Sequence, residues 1–224
     1  MVTWVVIPAY NEGTKLAEVL RAVLEYVSNV VVVDDGSVDD TYEVAKRTGV
    51  SVLRHRINRG QGAALATGIE FALRSGAEAI VTFDSDGQMA ASDIPMMLEP
   101  IAGGEAEAVL GSRFVKDTVH NMPALRKMIV KGGILFTRIL SRIDVTDTHN
   151  GFRAFSRAAA KKITINQDRM THASEILDQI SKQKIKFVER PVTITYTDYS
   201  MGRANNSNLN AIKIAARMIF SKIF

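Results

Sequence analysis

The sequence contains no cysteine, and none of its apolar runs approaches the length of a membrane span. The absence of cysteine excludes disulfide bonds and thiolate metal sites, and it agrees with a cytoplasmic location. A membrane-spanning helix needs roughly 18–20 consecutive apolar residues, so we expect no such helix. The first residues enter an apolar segment without a basic region before it, which argues against a secretory signal.

The chain of 224 residues has a formal net charge of +4, but its two halves carry opposite charge. Residues 1–112 contain 8 Lys and Arg against 16 Asp and Glu, whereas residues 113–224 contain 20 against 8. A basic C-terminal half indicates an anionic partner such as nucleic acid, a membrane surface or phosphate groups. Nucleic acid is the least favoured, because aromatic residues are few there and show no stacking pattern.

Short apolar segments alternate with amphipathic ones in the first half of the chain. The pattern predicts buried strands at Thr3–Ile7, Asn29–Val33, Ser51–Leu53, Ala79–Phe83 and Glu107–Ser112. Apolar residues at helical spacing lie between most of these strands. Strands that are buried on both faces and alternate with helices predict an α/β fold with a mostly parallel sheet and helices on either side.

Polar residues follow three of these strands directly. They are the segments Pro8–Tyr10, Asp34–Asp35 and Asp84–Asp86. In a parallel sheet the carboxyl ends of the strands form the ligand-binding edge, so we expect these segments to lie together. On an extended segment Asp84 and Asp86 would point to one side and Ser85 to the other. Two such carboxylates suit a hard divalent cation, although a short D-x-D pattern also occurs in turns with solvated side chains.

The second half of the chain is predicted to contain two basic amphipathic helices, Leu125–Ile143 and Asn210–Phe224. Cations beside an apolar face suit a helix that lies on an anionic membrane, although the same pattern fits a helix packed on a core. A further helix at Ala173–Lys182 and a strand at Phe187–Tyr196, broken at Pro191, complete the prediction. No repeat or linker divides residues 1–224, so we expect one domain. His120, His149 and His172 show no metal-ligand spacing and are interpreted as structural.

Six motifs in order carry a resemblance to a known family. They are VVIPAYNE (Val5–Glu12), VVVDDGSVDDT (Val31–Thr41), NRGQGAAL (Asn58–Leu65), DSDGQ (Asp84–Gln88), GSRF (Gly111–Phe114) and NGFRAFS (Asn150–Ser156). With these motifs the chain resembles family-2 glycosyltransferases of the GT-A fold, which is Rossmann-like. It is most similar to the branch that transfers a sugar from a nucleotide donor to a polyprenyl phosphate, including dolichyl-phosphate mannose synthases.

The resemblance implies roles for the matching residues. Nucleotide-sugar binding falls to Pro8, Tyr10, Glu12, Asp34, Asp35, Asp84, Ser85 and Arg203. A Mg²⁺ or Mn²⁺ ion is expected beside Asp84, Asp86 and Gln88, and the catalytic residues are expected to be Asp86, Arg113 and Arg153. Other interpretations stay open for three residues: Tyr10 packing on the sheet, Glu12 capping the first helix, and Arg153 on the surface. Gln61 departs from the family pattern, since many relatives carry Lys there.

The implied function is inverting, metal-dependent transfer of a sugar from a UDP- or GDP-linked donor to a polyprenyl phosphate. Residues 1–112 would bind the nucleotide-sugar, and residues 113–224 would face the acceptor and the inner face of the membrane. A small integral-membrane partner is compatible with this assignment. A phosphate acceptor needs no general base, whereas a hydroxyl acceptor does, and only Glu175 and Asp147 stand as candidates for one. Two alternatives remain: transfer to a glycan hydroxyl, and a non-catalytic subunit that binds nucleotide-sugar.

Overall fold

The computed structural model describes residues 1–115, 138, 143–168 and 171–195 of the chain. Within these ranges seven strands form one mixed sheet, and helices cover both of its faces. The predicted α/β fold class is therefore confirmed. The predicted helices Leu125–Ile143, apart from Arg138 and Ile143, and Asn210–Phe224 lie outside the described residues, as does Arg203.

The strands lie in the order β3-β2-β1-β4-β6-β5-β7 across the sheet. Six of them run in one direction, and β6 is antiparallel to both of its neighbours. The bounds are β1 Thr3–Ala9, β2 Asn29–Asp34, β3 Ser51–Arg54, β4 Ala79–Thr82, β5 Ala108–Ser112, β6 Arg153–Ser156 and β7 Phe187–Pro191. The antiparallel β6 places its first residue, Arg153, at the edge where β4 and β5 end, opposite Thr82 and Leu110.

The helices connect the strands, and α6 lies where a helix was predicted at Ala173–Lys182. Their bounds are α1 Gly13–Leu24, α2 Thr41–Arg47, α3 Gln61–Arg74, α4 Ile94–Ala102, α5 Arg157–Lys162 and α6 His172–Lys182. A 3-10 turn at Ala91–Asp93 precedes α4. The sequence pattern did not predict α4 or α5. Helix α5 has only six residues, which is too short to show a clear helical period.

Two apolar layers, one on each face of the sheet, form the core. Alternate residues of β1 point to opposite faces, so Val5 and Ile7 join the layer beneath α1 and α4, and Val6 joins the layer beneath α3, α5 and α6. Helix α3 approaches the sheet closely, because a Cβ atom on Gly68 would lie 2.3 Å from Cγ1 of Val6. Both faces of the central strands are therefore buried, which explains their continuous apolar sequence.

Strand β1 continues past Pro8, where the sequence predicted that it would stop. Its pairing with β4 ends at Val6, while its pairing with β2 continues to Ala9. Proline lacks a backbone N–H and is tolerated where a strand has no partner on one side. The last residues of β1 therefore reach the carboxyl edge of the sheet beside the end of β2. Each helix among the described residues is too short or too polar to span a lipid bilayer.

Candidate active site

A cavity of about 480 Å³ opens at the carboxyl edge of the sheet. This volume lies within the range of roughly 300–1,000 Å³ that is usual for small-molecule sites. Ten of the predicted site residues line it: Pro8, Tyr10, Glu12, Asp35, Asp84, Ser85, Asp86, Gln88, Arg113 and Arg153. Asp34 is fully buried and is not among the lining residues. Residues that are far apart in the sequence thus meet at one edge of the sheet.

The loops after β1 and β2 are joined by hydrogen bonds into one frame. The Asn11 backbone nitrogen donates to Oγ of Ser37 at 2.9 Å, and the Val38 backbone nitrogen donates to Oδ1 of the Asn11 side chain at 3.0 Å. Asn11 has a positive φ of 54°, which Asn tolerates better than most residues. The frame fixes Tyr10, a residue that is 41% exposed, and Glu12, which is 9% exposed. Glu12 occupies the N-cap position of α1, but its side chain makes no capping hydrogen bond.

Asp34 and Asp35 point to different surroundings. Oδ1 of Asp34 accepts from the Ser37 nitrogen at 3.0 Å, and Oδ2 lies 3.0 Å from Nε of Arg54. Asp34 therefore stabilises the loop after β2 from below. Asp35 lines the cavity, and its carboxylate accepts from the backbone nitrogens of Arg59 at 3.0 Å and Gly60 at 2.6 Å. Asp35 thus holds the glycine-rich loop before α3 against the end of β2.

His55 supports the Asp35 carboxylate from the side. Its Nδ1 atom lies 2.7 Å from Oδ1 of Asp35, and its Nε2 atom lies 3.0 Å from Oγ1 of Thr67 in α3. Gly60, just before α3, has φ of 105°, a backbone conformation that favours glycine. The sequence pattern singled out neither His55 nor Thr67, because their contacts join separate elements of the fold.

Asp84, Asp86 and Gln88 form the acidic floor of the cavity. Strand β4 ends at Thr82, so these residues lie in a turn, and strand alternation is not what brings the two carboxylates together. Ser85, expected from alternation to face away, also lines the cavity. Gln88 donates to Asp86 from its backbone nitrogen at 3.0 Å and from Nε2 at 2.6 Å. The Thr195 nitrogen donates to the Gln88 carbonyl at 2.9 Å, which fixes the turn to the segment after β7.

Burial and, to a lesser extent, the neighbouring Asp86 carboxylate raise the pKa of Asp84 to about 7, although Arg153, the Gln61 amide and Arg113 oppose the shift. The Gln61 amide, Nε2, donates to Oδ1 of Asp84 at 2.8 Å. Two carboxylates that disfavour each other's charge suit a cation between them. Gly151 also contacts this group, since a Cβ atom there would lie 2.8 Å from Oδ2 of Asp84.

The donor set of this turn fits a hard divalent ion. Asp84 and Asp86 provide carboxylate oxygens, and the Gln88 side chain provides an amide oxygen. No group of three or more His, Asp or Glu side chains among the described residues is arranged to hold a metal by itself. Magnesium usually takes one or two protein carboxylates and fills its other positions with water and substrate phosphates. The arrangement therefore fits a cation that is bound jointly by the protein and a diphosphate.

Arg113, which lines the cavity, forms a buried ion pair with Asp147. Nε and Nη2 of Arg113 donate to the two oxygens of Asp147 at 2.6 and 2.8 Å. Glu189 on β7 supports Asp147, because its Oε1 atom accepts from the Asp147 nitrogen at 3.3 Å and from the Thr146 nitrogen at 2.8 Å. Burial raises the pKa of Glu189, and the hydrogen bonds from Thr146 and Asp147 partly offset this.

Arg153 is buried and is held by three carbonyl groups rather than lying on the surface. Its nitrogens donate to the carbonyls of Asn150 at 3.1 Å, Thr148 at 3.4 Å and Ala173 at 3.2 Å. Burial lowers the pKa of Arg153 to about 10, and the charges of Asp147 and Asp84 oppose this shift. The guanidinium group therefore remains positively charged at neutral pH.

Asp147 and Glu175, the two carboxylates considered as general bases, are both engaged in structural contacts. Asp147 is paired with Arg113 as described above. Glu175 is not among the cavity-lining residues, and its oxygens accept from the backbone nitrogens of Asn166 at 3.0 Å and Gln167 at 2.9 Å. Glu175 therefore stabilises the turn before α6.

Sequence reasoning missed several cavity residues. His149 and His172, interpreted as structural, line the cavity together with Gln61, Asn150 and Gly151. The motif NGFRAF contained Asn150 and Gly151, but nothing in the motif alone showed that these two residues face the acidic turn. Only the antiparallel placement of β6 beside β4 brings the two segments together.

Comparison with known proteins agrees with this geometry. Residues 4–164 match the model of the family described as Glycosyl transferase family 2. An uncharacterised protein of Methanocaldococcus jannaschii is 40% identical over 99% of this chain and 92% of its own length. The UDP-N-acetylglucosamine–dolichyl-phosphate N-acetylglucosaminyltransferase of Methanococcus voltae is 34% identical over 98% of this chain and 96% of its own length.

A solved structure shows the same fold at low sequence identity. It is glucosyl-3-phosphoglycerate synthase from Mycobacterium tuberculosis in complex with Mn²⁺, uridine diphosphate and phosphoglyceric acid. The TM-score is 0.71 at 17% identity, and the match covers 97% of this chain and 78% of that one. The sheet order, the acidic turn after β4 and the family match lead to one conclusion: the chain belongs to glycosyltransferase family 2 and has the GT-A fold.

Proposed function

We propose that this glycosyltransferase uses a divalent metal ion to transfer a sugar, with inversion, from a UDP- or GDP-linked donor to a polyprenyl phosphate. The observation that carries the proposal is the pairing, within one cavity, of an acidic turn with two buried arginines. Asp84, Asp86 and Gln88 line the cavity together with Arg113 and Arg153, and the charges of both arginines act on Asp84. A metal-bound diphosphate suits the first group, and a second anion suits the cationic group.

The donor half of the proposal assigns the nucleotide-sugar to residues 1–112. Pro8, Tyr10, Glu12 and Asp35 would contact the nucleoside, with Asp34 supporting their loop. A bound Mg²⁺ or Mn²⁺ would neutralise the charge that develops on the leaving diphosphate, an effect worth several kcal/mol. Asp84 and Asp86 would hold that ion, and Ser85 and Arg203 would contact the donor. The Mycobacterium tuberculosis structure, which contains Mn²⁺ and uridine diphosphate, supports this assignment by its similar fold.

The acceptor half assigns a phosphate monoester to residues 113–224, within the same domain. Such a group has a second pKa of about 6, so its oxygen is ionised at neutral pH and attacks without a general base. This suits a site in which Asp147 and Glu175 are both engaged in structural contacts. Attack from the face opposite the leaving diphosphate would invert the anomeric carbon. The dolichyl-phosphate acceptor named for the Methanococcus voltae relative supports a lipid phosphate.

A lipid acceptor also places the enzyme at a membrane surface. The basic amphipathic segments at residues 125–143 and 210–224 support peripheral binding to the inner face, since each Lys or Arg near an anionic surface contributes about 1 kcal/mol. A small integral-membrane partner would fit the same arrangement.

Incubation with radiolabelled nucleotide-sugars and undecaprenyl or dolichyl phosphate tests the proposal. We expect Mn²⁺- or Mg²⁺-dependent transfer of label into the lipid phase, and loss of transfer in Asp86→Ala. Label that enters a glycan but no lipid with any donor would favour the hydroxyl acceptor. Undiminished pathway activity in Asp86→Ala would favour a non-catalytic binding subunit. The configuration of the product, read by NMR, tests inversion separately.

A further inference from the structure

Two side chains of the cavity have no role in the account so far. His149 and Asn150 lie on the segment that precedes β6, between the ion pair of Arg113 and the buried Arg153. The His149 residue is exposed to solvent, whereas Asn150 is only 6% exposed. The two residues therefore occupy the mouth and the wall of the same part of the cavity.

The contact with Thr148 determines which nitrogen of the His149 ring carries the proton. Oγ1 of Thr148 lies 2.7 Å from Nδ1 of His149. Thr148 is fully buried, so its hydroxyl proton needs an acceptor, and Nδ1 is the one that the described residues provide. Although the residue keeps an exposed surface, partial desolvation of its ring lowers the pKa of His149; Asp147 opposes this, and Arg113 and Arg153 add to it. The neutral ring then carries its single proton on Nε2, which makes that atom a hydrogen-bond donor.

Asn150 contains a buried donor without an acceptor. Its Oδ1 atom accepts from the Phe152 nitrogen at 3.0 Å, which fixes the orientation of the amide. Its Nδ2 atom has no hydrogen-bond partner among the described residues. Native proteins seldom leave a buried amide donor unpaired, and a ligand is one of the ways in which such a group is satisfied.

The surroundings of these donors favour an anion. The Arg153 guanidinium donates to the carbonyls of Thr148 and Asn150, and Arg113 directs two nitrogens to Asp147. These hydrogen bonds go to protein atoms, so Arg113 and Arg153 contribute mainly their positive charge to a ligand in the cavity. His149 and Asn150 are placed to contribute the directed hydrogen bonds that an anionic oxygen needs.

We propose that Nε2 of His149 and Nδ2 of Asn150 donate hydrogen bonds to the phosphate group of the acceptor. This inference rests on the proposed function, because it assumes that the acceptor is a polyprenyl phosphate. The pair binds the phosphate oxygens beside Arg113 and Arg153, and Gly151 holds this segment next to Asp84 of the acidic turn, where the donor diphosphate is proposed to bind. The two residues act on acceptor binding and leave donor binding unchanged.

Conservative replacements can remove the two hydrogen-bond donors while keeping the local hydrogen bonds of the segment. Asn150→Asp keeps the oxygen that accepts from Phe152 and removes the N–H groups, and Asn150→Ser does the same without a charge. His149→Gln keeps a donor near the position of Nε2, whereas His149→Asn places its amide near Nδ1. Asn29→Asp is the matched control, because Asn29 lies at the opposite end of β2 and donates to the Thr3 carbonyl at 3.2 Å.

The measurements are the KM for farnesyl phosphate and for undecaprenyl phosphate, kcat, and calorimetric binding of uridine or guanosine diphosphate with Mn²⁺. A hydrogen bond to a charged group is worth roughly tenfold or more in affinity. We therefore expect the acceptor KM to rise about 10- to 100-fold in Asn150→Ser and His149→Asn, and more in Asn150→Asp. His149→Gln should recover part of the loss, and Asn29→Asp should behave as the wild type.

Each outcome supports or overturns the inference. An unchanged acceptor KM in the Asn150 and His149 variants of an enzyme that does transfer label to lipid would overturn the donor pair and leave the proposed function standing. Weakened diphosphate binding with an unchanged acceptor KM would assign the pair to the donor and also overturn the inference. A wild-type protein that neither binds farnesyl phosphate nor transfers label to any polyprenyl phosphate would overturn both.

Discussion

Replacement of Gly151 by alanine tests how closely the segment before β6 packs against the acidic turn. The added Cβ atom would lie 2.8 Å from Oδ2 and 2.9 Å from Oδ1 of Asp84. A comfortable contact needs about 3.4 Å or more, so the carboxylate has to move by roughly half an ångström. Gly151 has no positive φ that would itself forbid alanine, so the main effect falls on the Asp84 side chain.

The expected loss follows from that displacement. A 1 Å misplacement at a reacting centre costs about 100-fold in rate, so a shift of half that size predicts a loss of roughly tenfold or more in kcat/KM. The Mn²⁺ concentration that gives half-maximal activity should rise as well, because Asp84 is an expected ligand. The thermal unfolding midpoint should fall by only a few degrees, since a side chain rather than the backbone yields.

The assay combines a Mn²⁺ titration of sugar transfer, electron paramagnetic resonance of bound Mn²⁺, and thermal unfolding. Gly103→Ala is the control, because its Cβ atom would lie 3.4 Å from the Glu99 carbonyl and far from the cavity. A Gly151→Ala enzyme with wild-type kcat/KM and wild-type Mn²⁺ dependence would refute the placement of Asp84 as a ligand. A protein that loses its fold would instead show the backbone to be strained.

Three further changes test the fold and the cationic side of the cavity. Arg113→Ala leaves Asp147, which is 3% exposed, without its ion pair, and should lower the free energy of unfolding by roughly 3–5 kcal/mol. In urea titrations, adding Asp147→Asn should recover part of that loss. Equal losses in the single and double variants would contradict the pairing. Gly68→Ala brings a Cβ atom to 2.3 Å from Val6 and should cost about 1–3 kcal/mol by overpacking, whereas an unchanged urea midpoint would show that α3 can move away. Burial raises the pKa of Glu189 above its ordinary value of 4.5, so stability falls as the pH rises from about 4.5 through the folded pKa. Glu189→Gln should remove this part of the decline in the unfolding midpoint; identical pH profiles of the two proteins would contradict this.

Much of the fold could be predicted because the central strands are buried on both faces. The apolar runs of β1, β2 and β4 have a simple pattern, and the helices between them show a clear period. The antiparallel β6 could not be predicted in the same way. Its four residues, Arg153–Ser156, show no pattern that distinguishes a parallel from an antiparallel partner.

The candidate site was predictable where it follows strand ends and was missed where it depends on contacts between distant segments. Asp84 and Asp86 follow β4 directly, so the sequence indicates them. Gln61 reaches Asp84 from the start of α3, 23 residues earlier in the chain, and no local pattern records that contact. The same reason applies to Glu189, whose support of Asp147 spans 42 residues.

The central claim is that the acidic turn holds a metal-bound diphosphate against Asp84 and Asp86. The most direct test is a crystal structure of the protein soaked with Mn²⁺ and uridine or guanosine diphosphate, with anomalous data collected near the manganese edge. The account predicts an anomalous peak within coordination distance of a carboxylate oxygen of Asp84 or Asp86 and of the diphosphate. A nucleotide bound in the cavity without any ion beside those two carboxylates would contradict it.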